Sequence, residues 1–275
     1  FMTELEKMKR YGFTDGEVKR ATDNLISSFD KAVEAASTRK NADLVPELLN
    51  NFYDNEPFMD PETEAMFGKQ ICGMMNAAAL SQIAAQFIPE ENLIILFNGP
   101  EKEGLANPTE AELLGVIESV KNADIQPNIE DAINEPLISE ELAGSPVIKE
   151  KNGAHGSTVW TLANGLKVIV LPTDFKKDQV LFSLSMDGGR NSIPAEDLAS
   201  FEENIWGLYL QNTGVSKFSN TRLPKMLAGK RASASPYIDG YSHGISGQSA
   251  PKDLETAFQL AYLYFTDPRF DQDEF

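Results

Sequence analysis

Histidine and cysteine are nearly missing from this 275-residue chain: only His155, His243 and Cys72 occur. One cysteine excludes an internal disulfide scaffold. Two histidines 88 residues apart supply none of the usual spacings of a zinc site, and neither H-x-x-E-H nor H-E-x-x-H occurs. Long apolar runs are also lacking. The longest, such as Leu93 to Phe97, end after a handful of residues. About 20 are needed to cross a bilayer, so no membrane-spanning helix is expected. Basic residues are outnumbered, 24 Lys and Arg against 42 Asp and Glu, for a formal charge of −18. Phosphate backbones would be repelled at long range, which excludes nucleic acid as a partner. The opening Phe1-Met2 has neither the charged nor the apolar stretch of a signal peptide, and both ends read as cut from a longer protein.

The length suggests about two domains at roughly 150 residues each. Thr14 and Glu17 form a capping box ahead of an amphipathic helix over 15–38. Asn41, Asp60-Pro61, Asn76 and Thr109 mark four further helix starts, the last helix ending near Asn122. Asn92 to Phe97 reads as a short apolar strand closed by Asn98-Gly-Pro100. Met66, Met74 and Met75 recur at helical spacing and are expected in the core, as is the thiol of Cys72. Periodicity then fails over 123–157, which holds Pro127, Pro136 and Pro146 and reads as an acidic interdomain linker. Acidity is concentrated here: residues 101–150 carry twelve acids against three lysines, a net of −9, read as a solvated face.

The remainder changes character. Val159–Leu162 and Lys167–Leu171 flank Asn164-Gly165, a hairpin signal. Gln179–Met186 is a third strand, closed by a turn at Asp187-Gly-Gly-Arg190. Helices are expected over 195–212 and 221–228. Strands follow over 231–235 and 241–247, with a last helix over 252–265. Strands and helices are segregated rather than alternating, so the fold class is α+β. No nucleophile motif survives inspection. Gly244-Ile-Ser-Gly247 lacks the strand–turn–helix setting of an activated serine. His155 is expected exposed among glycines and His243 is expected non-catalytic. The four acids over 267–274 lack the spacing of a calcium loop.

Residues 162–172 (LANGLKVIVLP) resemble the opening hairpin of an insulinase-like (pitrilysin-type) zinc peptidase repeat. Residues 217–230 (KFSNTRLPKMLAGK) and 232–238 (ASASPYI) resemble the section that follows that family's metal-binding helix. Residues 253–258 (DLETAF) and 265–275 (FTDPRFDQDEF) resemble its later "D-L-x-x-A-L … P-x-F-x-x-E-x-F" section, and residues 4–24 resemble the latter part of the preceding repeat. The resemblance implies antiparallel or mixed sheets with helices on one face. It also implies two partial units of a four-unit scaffold: the end of the second unit over 1–122 (mainly helical, with a strand near 92–97), the linker over 123–157 and most of the third unit over 158–275. Aligning Gly214 with the glycine after the family's H-x-x-E-H puts the ligand positions on Ile205, Leu208 and Tyr209, none of which can hold zinc. No catalytic, cofactor-binding or metal-ligating residue is therefore expected in this segment, and zinc is expected in the parent protein.

What the resemblance implies for function is a non-catalytic segment of a zinc metallopeptidase, forming chamber wall and interdomain linker for peptide hydrolysis elsewhere. The alternative is part of a catalytically inactive family member that acts as a structural or peptide-binding subunit. The expected partners are the remaining units of the same polypeptide, with a peptide as possible substrate. The segment Arg231–Ile238 is the counterpart of an edge strand that can take up a peptide. The family points toward a periplasmic or otherwise extracytoplasmic location.

Overall fold

The computed structural model describes residues 1–87, 94–100, 104, 106–130, 135–201, 213–272 and 274. The chain divides into two compact units. One comprises Phe1–Ile26 with Phe67–Ala132, and the other Ser27–Met66 with Ile133–Phe275.

The first unit is helical. α1 (Met2–Tyr11) packs against both α5 (Ala77–Gln86) and α6 (Glu110–Lys121). α2 (Asp15–Ala35) begins at the expected box: the Thr14 N–H donates to Glu17 Oε2 at 2.8 Å, and the Glu17 N–H donates to Thr14 Oγ1 at 3.2 Å. Each bond satisfies a backbone group that a helix start would leave open. Asn76 caps α5 by accepting from the Ala79 N–H at 2.9 Å, and Thr109 and Glu112 form the box of α6. α3 (Asn41–Asp54) belongs to the second unit, and its N-cap is Lys40, not Asn41: Asn41 is the first helical residue, and the Asp43 carboxylate receives the Lys40 N–H at 2.9 Å. α4 (Pro61–Met74) starts as expected, with Asp60 accepting from the Thr63 N–H at 2.9 Å.

Residues 94–97 carry no strand, and residues 92 and 93 lie outside the described residues. Ile94 and Leu96 are 90% and 91% exposed. An apolar run becomes a strand only where a neighbour takes its N–H and C=O groups, and among the described residues none pairs here. The methionines also differ from expectation. Met66 and Met74 are exposed, although Cys72 on the same helix is buried.

The second unit holds two antiparallel sheets, which makes the fold α+β. The first has the order β1 (Val147–Asn152), β2 (Thr158–Leu162), β3 (Lys167–Val170), with Gly165 at φ 87° in the β2–β3 turn. β1 lies inside the stretch read as linker. Its sequence, VIKEKN, does not alternate and every residue is exposed, so hydrophobic periodicity carries no signal there. The second sheet has the order β4 (Val180–Asp187), β6 (Ser242–Ser249), β5 (Ala232–Ile238). α9 (Leu254–Thr266) covers one face of it, in contact with β5 and β6.

The core sits between that sheet and α9. Val215, Ala234, Ile245, Leu260, Ala261 and Leu263 are buried together. Phe182 and Leu184 of β4 join them, and the rings of Phe182 and Phe258 approach to 5.0 Å. Gly247 makes room for this, because a Cβ there would stand 2.3 Å from the Phe182 ring. Burial of Tyr264 in this layer pushes its phenol above the ordinary value of 10.0. Leu137 and Ile138, from the stretch read as linker, pack on the same core.

Candidate functional site

Ile205, Leu208 and Tyr209, the positions that the resemblance aligns with the zinc ligands, lie outside the described residues, as does most of the stretch 195–212 expected as a helix; α7 (Ala195–Ser200) falls within its described part. The residues after it are placed. Gly214 donates its N–H to Glu274 Oε2 at 3.4 Å, and its backbone passes so close to Phe218 that a Cβ would sit 1.8 Å from the Phe218 carbonyl oxygen. Val215 and Phe218 are fully buried and bridge each other, and Val215 also bridges Pro268. The short α8 (Leu223–Met226) follows and sends Leu223 to the core.

Among the described residues, no three His, Cys, Asp or Glu side chains gather in a way that could hold a metal ion. His155 is exposed in a left-handed turn at φ 56°. His243 stands on β6 opposite Met186, where its Nδ1 accepts from the Gly189 N–H at 3.4 Å. That bond ties the imidazole to the Gly188-Gly189 turn. A Cβ on Gly189 would come within 2.3 Å of the Asp239 carbonyl oxygen, so the turn has no room for a side chain.

Of the segment Arg231–Ile238, Ala232–Ile238 form β5, among the described residues an edge strand of its sheet, paired on one side by β6. Pro236 lies within it, a residue that sheets confine to edges because it cannot donate to the ladder. A groove of about 820 Å³ is lined by residues 138–142 and by Leu254, Glu255, Phe258, Gln259 and Tyr262 of α9. Its lining combines Ile138, Leu142, Phe258 and Tyr262 with three acids, Glu140, Glu141 and Glu255.

The acidic stretch between the helical part and the strands is fastened at both ends. In the first unit the Tyr11 hydroxyl donates to the Ile125 carbonyl at 2.6 Å, and Arg10 donates to the carbonyls of Lys121 and Ala123 at 2.7 and 2.8 Å. Glu130 takes hydrogen bonds from Arg20 at 2.6 Å and from the Gly16 N–H at 3.0 Å. The Arg20 guanidinium, more than the backbone N–H, holds the Glu130 carboxyl below the ordinary 4.5. In the second unit Glu135 pairs with Lys217 at 2.5 Å and Arg222 at 2.7 Å, and the Lys217 ammonium above all lowers its pKa. These acids were legible as charge; their cationic partners, about 80 to 110 residues away in sequence, were not.

No protein-family model matches the chain. It is similar to a "Zinc protease PQQL-like" of Arabidopsis thaliana, with 24% identity over 273 residues, 98% of this chain and 25% of that protein. Its fold is similar to that of the periplasmic protease PqqL from Escherichia coli in its crystal structure, with a TM-score of 0.50, 19% identity, and coverage of 99% of this chain and 30% of that one. The ferredoxin protease FusC, solved in complex with Arabidopsis ferredoxin, matches at a TM-score of 0.44 and 16% identity, with coverage of 99% and 30%. The chain thus spans about a quarter of the length of the curated relative it matches.

Proposed function

We propose, from the premise that the chain belongs to the insulinase-like zinc-protease family as a match to a partial region of it, that it is a non-catalytic part of such a protease. In this reading it supplies chamber wall and connector, while zinc held by another segment supplies the activated water. The observation that carries the reading is the match along 98% of the chain, combined with Ile, Leu and Tyr at the three positions where the family's ligand motif would fall. Isoleucine and leucine have no donor atom, and tyrosine is outside the usual zinc set of Cys, His and carboxylate, so these residues do not fit the metal.

The exposed surface supports a wall. Large side chains contribute to this surface: Leu48, Phe52, Met66, Ile71 and Met74 are each half exposed or more. Apolar side chains left exposed along helices suit contact with another surface. The remaining units of the same polypeptide are the proposed cover. The strap over 123–157, fastened at Glu130 in one unit and Glu135 in the other, suits a connector.

Purified chain, loaded with zinc and desalted, is expected to retain far less than one zinc per chain and to leave a fluorogenic peptide uncut. One tightly held zinc per chain by elemental analysis overturns the reading. The remaining units settle what the parent does: an intact H-x-x-E-H there supports the protease, and a missing one turns the same scaffold into a structural or peptide-binding subunit. An extracytoplasmic location belongs to the proposal through PqqL, described as periplasmic, and osmotic-shock fractionation tests it. Among the described residues no helix is long and apolar enough to cross a membrane.

A further inference from the structure

A polar cavity of about 310 Å³ opens at one end of the β4–β6–β5 sheet, lined among others by Lys31, Asp178, Lys230, Arg231, Gln248 and Ser249. Among the lining residues three cations meet one acid, Asp178, with Glu34 and Asp253 on the far sides of Arg231. Asp178 and Ser249 are only 7% and 4% exposed. Yet Asp178 Oδ1, Ser249 Oγ, and Arg231 Nε and Nη1 are buried without a hydrogen-bond partner in the protein. Buried polar atoms are rarely left so, and a charged one left unpaired costs most.

The surroundings hold Arg231 in place. Its backbone N–H donates to Asp253 Oδ2 at 2.9 Å, its carbonyl accepts from the Ala250 N–H at 2.7 Å, and its Nη2 pairs with Glu34. Gln179 Nε2 donates to Gln248 Oε1 at 2.8 Å beside it. Lys230 Nζ donates to Thr256 Oγ1 at 3.1 Å. Arg231 Nη1 stands 3.8 Å from Asp178 Oδ2, near enough for charges to attract and too far for a hydrogen bond. Donors and an acceptor without partners thus lie side by side, buried at the cavity.

That spacing selects the ligand. An anion with no proton to donate, such as sulfate, would satisfy Arg231 but leave Asp178 unpaired and repelled. A simple cation would meet Lys31, Lys230 and Arg231. A group with an anionic acceptor and a donor on neighbouring atoms satisfies both sides, and answers the Arg231 charge as a neutral water does not. We propose that this cavity binds an α-carboxylate with an N–H on the same carbon, the chemistry of a peptide C-terminus or a free amino acid. The carboxylate meets Arg231 in a charge-assisted bond, Lys31 and Lys230 raise the local potential, and the N–H donates to Asp178 Oδ1. The proposal goes beyond the chamber-wall reading and stands if that reading fails.

Titration of the 275-residue chain by calorimetry and by ¹⁵N amide shifts tests it, with acetyl-alanyl-alanine, its methyl ester, free alanine and inorganic phosphate as probes. The acid is expected to saturate with shifts at Asp178, Arg231 and Ser249, and the ester to bind at least about tenfold more weakly. Whether acetyl-alanyl-alanine or alanine binds tighter tells a peptide terminus from a free amino acid. Asp178→Asn is expected to weaken the acid about fivefold or more, and the exposed Lys31→Gln about twofold, with circular dichroism unchanged. Lys31→Gln keeps the test decisive should Asp178→Asn fail to fold. Equal binding of acid and ester, phosphate binding as tightly as the acid, or no saturable binding of either acid overturns the proposal and leaves a water-bridged structural ion pair.

Discussion

α9 and α3 carry the same kind of apolar stripe and meet opposite fates. α9 lays Ala257, Leu260, Ala261 and Leu263 on the sheet, and all four are buried. α3 repeats Val45, Leu48, Leu49 and Phe52 at helical spacing and buries none of them. The difference teaches that an amphipathic pattern states which face is to be covered, and not what covers it. For α9 the cover is the sheet formed by the strands just before it. For α3 the proposed cover is the rest of the parent polypeptide.

The sharpest way to break this contrast is Leu260→Ala, expected to cost about 2–5 kcal/mol in urea unfolding, because the cavity it leaves is walled by the sheet. Little change there would mean that the α9 layer is loose. Gly189→Ala comes next, at about 1–3 kcal/mol, since φ 74° and the Asp239 carbonyl oxygen both resist a side chain. Asn76→Ala should cost about 1 kcal/mol of helix stability through the lost cap of α5, read as far-UV ellipticity during denaturation. A still smaller effect is expected from pH. Glu130 and Glu135 have lowered carboxyl pKa values, so the folded state binds their protons less readily than the unfolded one. Their stabilisation is complete above the ordinary 4.5 and is lost as pH falls through the lower folded values; in an acid titration Glu135→Gln should flatten that loss. The smallest change is expected from Leu48→Gln, within about 0.5 kcal/mol for this chain. A penalty as large as that of Leu260→Ala would show that α3 is already covered.

Local chemistry was readable where a single backbone group needs a single side chain. Thr14 with Glu17, Asn76, and Thr109 with Glu112 announced their helices because each bond closes within three residues. Asn164-Gly165 announced the β2–β3 hairpin because its turn needs φ above zero. β1 escaped notice because an exposed edge strand needs no alternation, and its identity rests on the Val147–Asn152 pairing with Thr158–Leu162. Met66 and Met74 were read as core because helical spacing looks the same whether or not a neighbour arrives.

The order of the chain by itself determined where helices start, where the hairpin turns, that the class is α+β, and that residues 205, 208 and 209 offer no zinc ligand. Only the tertiary structure decided that the stretch around 123–157 is fastened at Glu130 and Glu135 and contains a strand. It also decided that Asp178 and Arg231 face each other across a cavity. The reason is distance along the chain: caps and turns close over a few residues, whereas these pairs are joined only when sheet ends and helices bring remote segments together.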